Sequence, residues 1–427
     1  MKKQIGVGII GFGTVGSGVY HILTTKADKL SQRARADIKV VLVAEKYPEL
    51  LEGRIPVEQI TTDAYEVINH PDIDIIVEVI GGIEPAYSFI TKALENGKHV
   101  VTANKALMAS RGGSLLELAE SKGVDLFFEA SVGGGIPIIR PLKYCLTGNA
   151  IQRVMGIVNG TTNYILTKMA EEGMSLDSAL KEAQAHGFAE ADPTADVEGH
   201  DAGAKIAILA SIAFNSRVTA NQVYTEGIMN ITPEDIAYAR EMGYAIKLIA
   251  LAKEDEGGVD VRVHPTMIPA NHPLASVSGV MNAIFVEGDA VGEVMFYGPG
   301  AGSLPAASAI VGDIFEVVLN IRLEKVGSTG CSCFEHKEIK EIGDVESRYY
   351  LRLEAVDRPG VLAKIAQVFG ENNVSIESVI QKNTHKESAE IVFVIYKVKE
   401  GNLRESLGKI EQLDVVNRIC NILRVEG

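Results

Sequence analysis

Cysteine is scarce in this chain: its 427 residues hold four, Cys145, Cys331, Cys333 and Cys420. Four are too few for a disulfide framework, and the pair Cys331-x-Cys333 lacks the second half of a zinc site. No uninterrupted run of about eighteen apolar residues occurs, which speaks against a transmembrane helix. The opening MKKQIGVGIIGFG has basic residues ahead of an apolar stretch, but glycines break that stretch and no small-residue cleavage site follows. A buried first strand and a cytoplasmic chain are expected. Basic side chains are the minority, 41 against 56 acidic, a net charge of −15. That balance argues against a sequence-independent nucleic-acid binder, which needs a basic footprint. Low-complexity segments and internal repeats are absent as well. What remains, 46% hydrophobic and 23% charged, is the composition of a folded protein of two to four domains.

The order of patterns divides the chain. Apolar residues 4–10 run into a glycine cluster, a helical pattern spans about Thr14 to Leu30, and a β-branched run follows at Ile38–Val43. That is a βαβ unit. Strand-like runs at Ile73–Val79, His99–Val101 and Asp125–Phe128 alternate with helix-like stretches, predicting a parallel sheet with helices on both faces. From Ile136 the rhythm changes to closely spaced helices (Thr161–Glu172, Leu176–His186, Asp201–Phe214). Strands at Tyr244–Ala252, Val259–Ile268, Ala283–Val286 and Glu293–Tyr297 follow, with a closing helix at Ser303–Asn320. Arg322–Ser347 is polar and aperiodic and reads as a linker. From Arg348 the order is βαββαβ in about eighty residues, a ferredoxin-like arrangement. Residues 348–427 carry 12 basic and 11 acidic side chains, so the acidic surplus lies entirely before them.

Gly11-Phe12-Gly13-Thr14-Val15-Gly16 matches G-x-G-x-x-G. The first glycine permits the tight turn, the second lets backbone approach a pyrophosphate, and the third lets helix pack on strand. Its place between a predicted strand and a predicted helix supports dinucleotide binding. At the end of the second strand stand Glu45 and Lys46, one residue of each sign, so NAD and NADP both remain open.

Residues 171–201 hold nine acidic side chains and one basic. A solvated loop is the plain reading of such a run. Asp201 and Lys205, however, stand four apart on a helix that continues as apolar Ile206–Phe214, and so share a face. Small residues between them predict that Lys205 is at least partly buried. A buried ammonium beside carboxylates is either an ordinary ion pair or an acid–base group for a carbonyl oxygen.

The motifs GFGTVG (11–16), TANK (102–105), FEASVGGGIPIIRPL (128–142), GIVNGTTNYIL (156–166), GFAEADPTADVEGHDAGAK (187–205) and GPGAGSLPAASAIVGD (298–313) occur in that order. Together they resemble homoserine dehydrogenases of the monofunctional bacterial type, and the C-terminal unit resembles an ACT domain. The resemblance implies an α/β fold in three parts. Residues 1–130 form a Rossmann-type NAD(P) domain completed by the 303–320 helix, and 131–321 an α+β catalytic and dimerisation domain. A linker (322–347) leads to the regulatory ACT domain (348–427).

The implied reaction interconverts L-homoserine and L-aspartate 4-semialdehyde with NADP or NAD, on the route to threonine, methionine and isoleucine. By motif, Lys205 is the general acid, assisted by Asp201. Glu190, Asp201 and Lys105 hold the substrate. Gly11–Gly16, Lys105, Gly187 and Gly302 approach the cofactor. Glu129, with the carbonyls of Val132, Gly134 and Ile136, forms a structural Na+ site. Thr161 and Thr162 are helix-capping candidates. In the C-terminal unit Asp357, Gly360, Val361, Leu362 and Asn372 surround an effector, L-threonine, with Asp357 capping the helix and Pro359 in its first turn. A homodimer or homotetramer is implied, with no nucleic-acid or membrane partner. The rivals are another NAD(P) enzyme, such as an aspartate-semialdehyde dehydrogenase, and a non-catalytic amino-acid sensor. The first needs a nucleophilic cysteine in a recognisable motif, and Cys145 has none around it. The second is disfavoured by the presence of Glu190, Asp201 and Lys205 together.

Overall fold

A computed structural model of the chain describes residues 4–325, 330–385 and 388–426. It divides into two compact units, one of residues 1–154, 204–223 and 281–337, the other of residues 155–203, 224–280 and 338–427.

In the first unit, six strands pair in parallel: β1 (Gln4–Ile10), β2 (Asp37–Ala44), β3 (Ile60–Thr61), β4 (Ile75–Glu78), β5 (His99–Thr102) and β6 (Leu126–Phe127). Their spatial order is β3-β2-β1-β4-β5-β6, the doubly wound dinucleotide-binding order, with β1 and β4 at the centre. Ile5, Val7, Ile9, Ile75 and Val77 are fully buried because helices cover both faces. The helix Ser303–Leu323 returns late in the chain and adds Ala307, Ile310, Ile314 and Val317 to the same core. It is the one helix among the described residues long and apolar enough to cross a membrane by length and composition. Those core contacts account for its apolar character.

The helix expected over Thr14–Leu30 is two helices, Thr14–Thr25 and Ala27–Ala34. Near the break, Thr24 and Thr25 turn their hydroxyls onto the carbonyls of Tyr20 (2.8 Å) and His21 (2.6 Å). Such back-bonding bends and ends helices.

In the second unit, Tyr244–Asp255 and Gly258–Pro269 form a twelve-residue antiparallel pair. Beside Gly258–Pro269 lies the C-terminal sheet, in the order Val416–Val425, Glu346–Val356, Ser388–Lys399, Ile376–His385. Helices Val361–Glu371 and Glu400–Ile410 complete the βαββαβ arrangement over an apolar core that includes Leu351, Ile365, Phe369, Phe393 and Ile410. The two sheets are continuous: Thr266 and Met267 pair in parallel with Arg424 and Val425. Side chains at this seam are charged. Arg424 binds Glu226 at 2.7 and 3.0 Å and Glu400 at 2.6 Å. Arg352 binds Asp235 at 2.8 Å and Glu390 at 3.0 Å.

The segment expected as a linker is tethered on the described side. Glu335 bridges Ser216, Ile339 bridges Val259, and Ile342–Asp344 makes a 3-10 turn. Residues 326–329 of that expectation lie outside the described residues.

Candidate active site

At the end of β1 the chain turns through Gly11, whose φ of +101° suits glycine. Gly16 packs so tightly that a Cβ there would sit 2.0 Å from the Gly11 carbonyl oxygen, while a Cβ at Gly13 would meet only open space. The helix that follows starts at Thr14 with no side-chain cap, and Gly13 and Thr14 at its start are exposed. A tight turn, an uncovered helix N-terminus and room above Gly13 fit a dinucleotide pyrophosphate. Phe12 is buried under the turn, and its amide donates to Glu45 Oε2 at 2.7 Å. The Glu45 carboxylate at the end of β2 thus lies against the glycine loop.

Lys105 opens the helix Lys105–Lys122, half-buried, directly after β5. Asn104 is its cap, accepting from Leu107 N at 3.1 Å and donating to the Gly82 carbonyl at 2.6 Å. Behind it, Thr102 donates to the fully buried Glu78 at the end of β4 (2.6 Å) and accepts from Asn104 N (3.0 Å). Burial pushes the Glu78 carboxyl above its ordinary range, opposed by these hydrogen bonds. Thr102, Asn104 and Glu78 fix where the Lys105 stem begins.

Asp201 and Lys205 lie on one helix, His200–Ala213, and both are buried, each 8% exposed. Asp201 Oδ2 accepts from Asn159 Nδ2 at 2.9 Å, and the same amide reaches Asp196 Oδ1 at 2.6 Å. Asn159 also caps the helix Gly160–Glu172 through Thr162 N (2.9 Å). The cap is therefore Asn159, and neither threonine of the sequence expectation fills it. Asn159 precedes the first helical residue and its side chain is the right length to accept from the third. Thr161 instead donates to the Phe188 carbonyl at 2.6 Å and so ties down the turn that carries Gly187, where φ is +73°. Glu190, three residues beyond Gly187, is exposed. Gly227 supports this acidic segment from below: a Cβ there would lie 2.1 Å from the Val197 carbonyl, which accepts from Ile228 N at 2.8 Å.

Glu129 is buried, and its carboxylate accepts three amides, Ile138 (2.6 Å), Ile139 (2.8 Å) and Arg140 (2.8 Å). Between them the chain bends through Val132, Gly133, Gly134 and Ile136, with Gly133 and Gly134 at φ +70° and +56°. The neighbouring Asp313 carboxylate binds Glu129 N and Arg140. Burial and the neighbouring Glu129 carboxylate push the Asp313 carboxyl up to about 7, and Arg140 and Lys143 are the cations that line the same pocket. Among the described residues no cluster of three His, Cys, Asp or Glu side chains offers a transition-metal site. Gly302, at φ +121°, caps the helix Ser303–Leu323 in the same compact unit.

In the ACT turn the helix Val361–Glu371 begins after Gly360, which has φ +92° and makes no side-chain cap. The expectation that Asp357 caps it and that Pro359 lies in its first turn is corrected here. Both residues precede the left-handed turn at Gly360, and Asp357 instead accepts from Gln381 Nε2 at 3.3 Å. Val361 is buried and Leu362 exposed. Asn372 is buried at the helix end, donating to the Val368 carbonyl (2.7 Å) and accepting from Lys409 Nζ (2.7 Å).

The glycine turn, Lys105, the Glu129 bend, Gly302 and Lys205 belong to the first compact unit. Gly187, Glu190, Asp201 and the ACT residues belong to the second. Sequence reasoning passed over Asn159, Glu78 and the buried Lys247, which donates to Asn163 Oδ1 (3.2 Å) and the Val277 carbonyl (2.6 Å). Burial brings the Lys247 ammonium down to about 8. Asn159 alone left a signal, an Asn-Gly-Thr-Thr cap pattern after a strand.

The 3-2-1-4-5-6 parallel sheet with an open G-x-G-x-x-G turn defines a dinucleotide-binding domain, the class to which NAD(P)-dependent oxidoreductases belong, and the C-terminal βαββαβ sheet has the ACT arrangement. Family models agree in detail. "Homoserine dehydrogenase, NAD binding domain" matches residues 11–129, "Homoserine dehydrogenase" 137–315 and "ACT domain" 349–415. A homoserine dehydrogenase of Bacillus subtilis is 45% identical over 100% of this chain and 99% of its own. The structure of one from Thiobacillus denitrificans is 43% identical, with a TM-score of 0.94 over 100% and 99% of the two chains. A hyperthermophilic archaeal homoserine dehydrogenase mutant in complex with NADPH is 29% identical, with a TM-score of 0.64, covering 74% of this chain and 98% of its own. The chain belongs to the homoserine dehydrogenase family.

Proposed function

We propose that this chain reduces L-aspartate 4-semialdehyde to L-homoserine, and runs the reverse reaction, with Lys205 as the group that moves the proton. A dinucleotide held by the Gly11–Gly16 turn would supply hydride to the aldehyde carbon or, in reverse, take it from the same carbon of the alcohol. Lys205 donates Nζ–H to the aldehyde oxygen and takes the proton back from the hydroxyl in the oxidative direction. Asp201, pinned by Asn159, and Glu190 offer carboxylates to the substrate ammonium. Lys105 serves at the nicotinamide end. The observation that carries this reading is a lysine only 8% exposed, one helical turn beyond a buried aspartate on the same helix. Replacing Lys205→Ala should lower turnover by about 10²–10⁴, while NAD(P)H binding, followed by its fluorescence, stays near that of the parent. Turnover at the parent level would remove Lys205 from the role.

The finer assignments follow from the same residues. Glu45, hydrogen-bonded to the glycine loop, suits a ribose diol and repels a 2′-phosphate. NADH is therefore the better cofactor, and Glu45→Ala narrows the NADH-to-NADPH ratio of kcat/KM. Glu129 and the carbonyls of Val132, Gly134 and Ile136 hold Na+, which braces the bend. A thermal midpoint that rises with NaCl but not with choline chloride tests this. The uncapped ACT helix at Gly360–Leu362 receives the carboxylate of an amino-acid effector, L-threonine, and titration calorimetry with threonine against alanine checks it. Four free thiols accord with a cytoplasmic enzyme.

A further inference from the structure

Cys331 and Cys333 play no part in hydride transfer, yet their surroundings are built. Both side chains are half-buried, and they lie in the same compact unit as Lys205. The Arg217 guanidinium donates to Cys331 Sγ at 3.8 Å while holding Glu117 at 3.0 Å. The Cys333 side chain lies against Cys331, and its thiol donates to the Ser211 carbonyl at 3.6 Å. Lys143 adds a second cation close to the pair. The two sulfurs line a narrow cleft of about 50 Å³ with Met108, Leu116, Ile208 and Ile212, and both side chains keep partial exposure, which leaves them open to a small reagent. Immediately after them the chain is anchored, Glu335 N on the Asn215 carbonyl (2.9 Å) and Lys337 N on Ser216 Oγ (3.0 Å).

We propose that Cys331 and Cys333 form a thiol-modification site for small disulfides, with Cys331 as the attacking sulfur and Cys333 as the resolving one. Contact with Cys333 and the Arg217 guanidinium beside it hold the Cys331 thiol below its ordinary value. Cys333, buried beside Cys331, is pushed up instead. The Cys331 thiolate attacks a disulfide RSSR, one S–S bond breaks, RS⁻ leaves, and a Cys331–SR mixed disulfide forms. Cys333 then gives up its proton and attacks the Cys331 sulfur, and the second RS⁻ departs. Two protein thiols are oxidised to one disulfide and RSSR is reduced to two RSH. A bridge across one intervening residue is strained, which makes it readily reducible. Its formation takes the Cys333 thiol from Ser211, on the helix that carries Lys205.

The test treats the full-length protein at pH 6 with hydroxyethyl disulfide and follows each cysteine by peptide mass spectrometry. Exposed Cys145 is the internal control. Cys331 should react at least about tenfold faster than Cys145, because the Arg217 guanidinium stands beside its sulfur. The Cys331–Cys333 peptide should then lose two hydrogens and regain them with dithiothreitol. Cys333→Ser should stop at the hydroxyethyl adduct on Cys331, and Cys331→Ser should leave Cys333 unmodified. Reaction at Cys331 no faster than at Cys145, or an adduct that persists in the parent with Cys333 still free, would overturn the proposal.

Discussion

The dinucleotide sheet and the seam between the substrate domain and the ACT sheet are both buried, yet they are held by opposite means. In the first, the fully buried side chains are Ile5, Val7, Ile9, Ile75 and Val77, packed by helices. In the second, the residues with almost no exposure include Arg262, Asp235, Arg352 and Arg424. Apolar packing is non-directional and forgives a small change of shape. A buried ion network holds one geometry and penalises the loss of either partner. The glycine turn needs a firm platform, and the seam needs a fixed register between two sheets.

The contrast can be broken most severely at Arg352. Its guanidinium holds Asp235, Glu390 and Thr232 (3.0 Å), while Tyr350 and Asn421 also bond Asp235. Arg352→Ala leaves two carboxylates without their cation and should cost about 3–5 kcal/mol in urea unfolding. A loss below about 1 kcal/mol would mean that the seam is held by apolar contacts after all.

Lys247 sharpens the comparison through pH. The fold holds its ammonium at about 8, against roughly 10.4 in an unfolded chain. The folded state releases this proton first, so stability attributable to Lys247 rises as pH climbs from about 8 to about 10. The total is on the order of 2–3 kcal/mol. The difference in denaturation midpoint between the parent and Lys247→Met, measured at pH 8, 9 and 10, should move in the parent's favour. A constant difference would contradict the assignment.

The smallest effect is expected in the dinucleotide sheet. Ile9→Val removes one methylene group from a fully buried position and should cost about 1 kcal/mol, with no dependence on pH or salt. A clear salt dependence of that loss would erase the distinction between the two regions.

The same distinction explains what could be read without coordinates. β1, β2, β4 and β5, the glycine turn and the βαββαβ order all leave local marks: apolar runs, glycine spacing and alternating periods. Arg352 and Asp235 are 117 residues apart in sequence, and Arg424 and Glu226 are 198 apart. Nothing local distinguishes these charges from solvated ones, so the seam was not legible. The lysine helix was half legible. Small residues around Lys205 foretold its burial, but the amide of Asn159 that pins Asp201 comes from a separate helix, 42 residues earlier. The ACT turn was misread in detail because Gly360 takes the left-handed position, and the helix starts later than Asp357 and Pro359 suggest.

Gly227 shows what such a seam implies for change over evolutionary time. On one side its neighbour Glu226 grips Arg424 of the ACT sheet; on the other, its own bare Cα lets the Val197 carbonyl of the acidic segment come close. Two successive residues thus serve two neighbours, the ACT strand Val416–Val425 and the segment that ends in Asp201. Exchange of the ACT unit by recombination at residue 346 alone would part Glu226 from Arg424. A donor sequence has to bring its own answer to Glu226, or the acceptor must rewrite residues 224–228 to match.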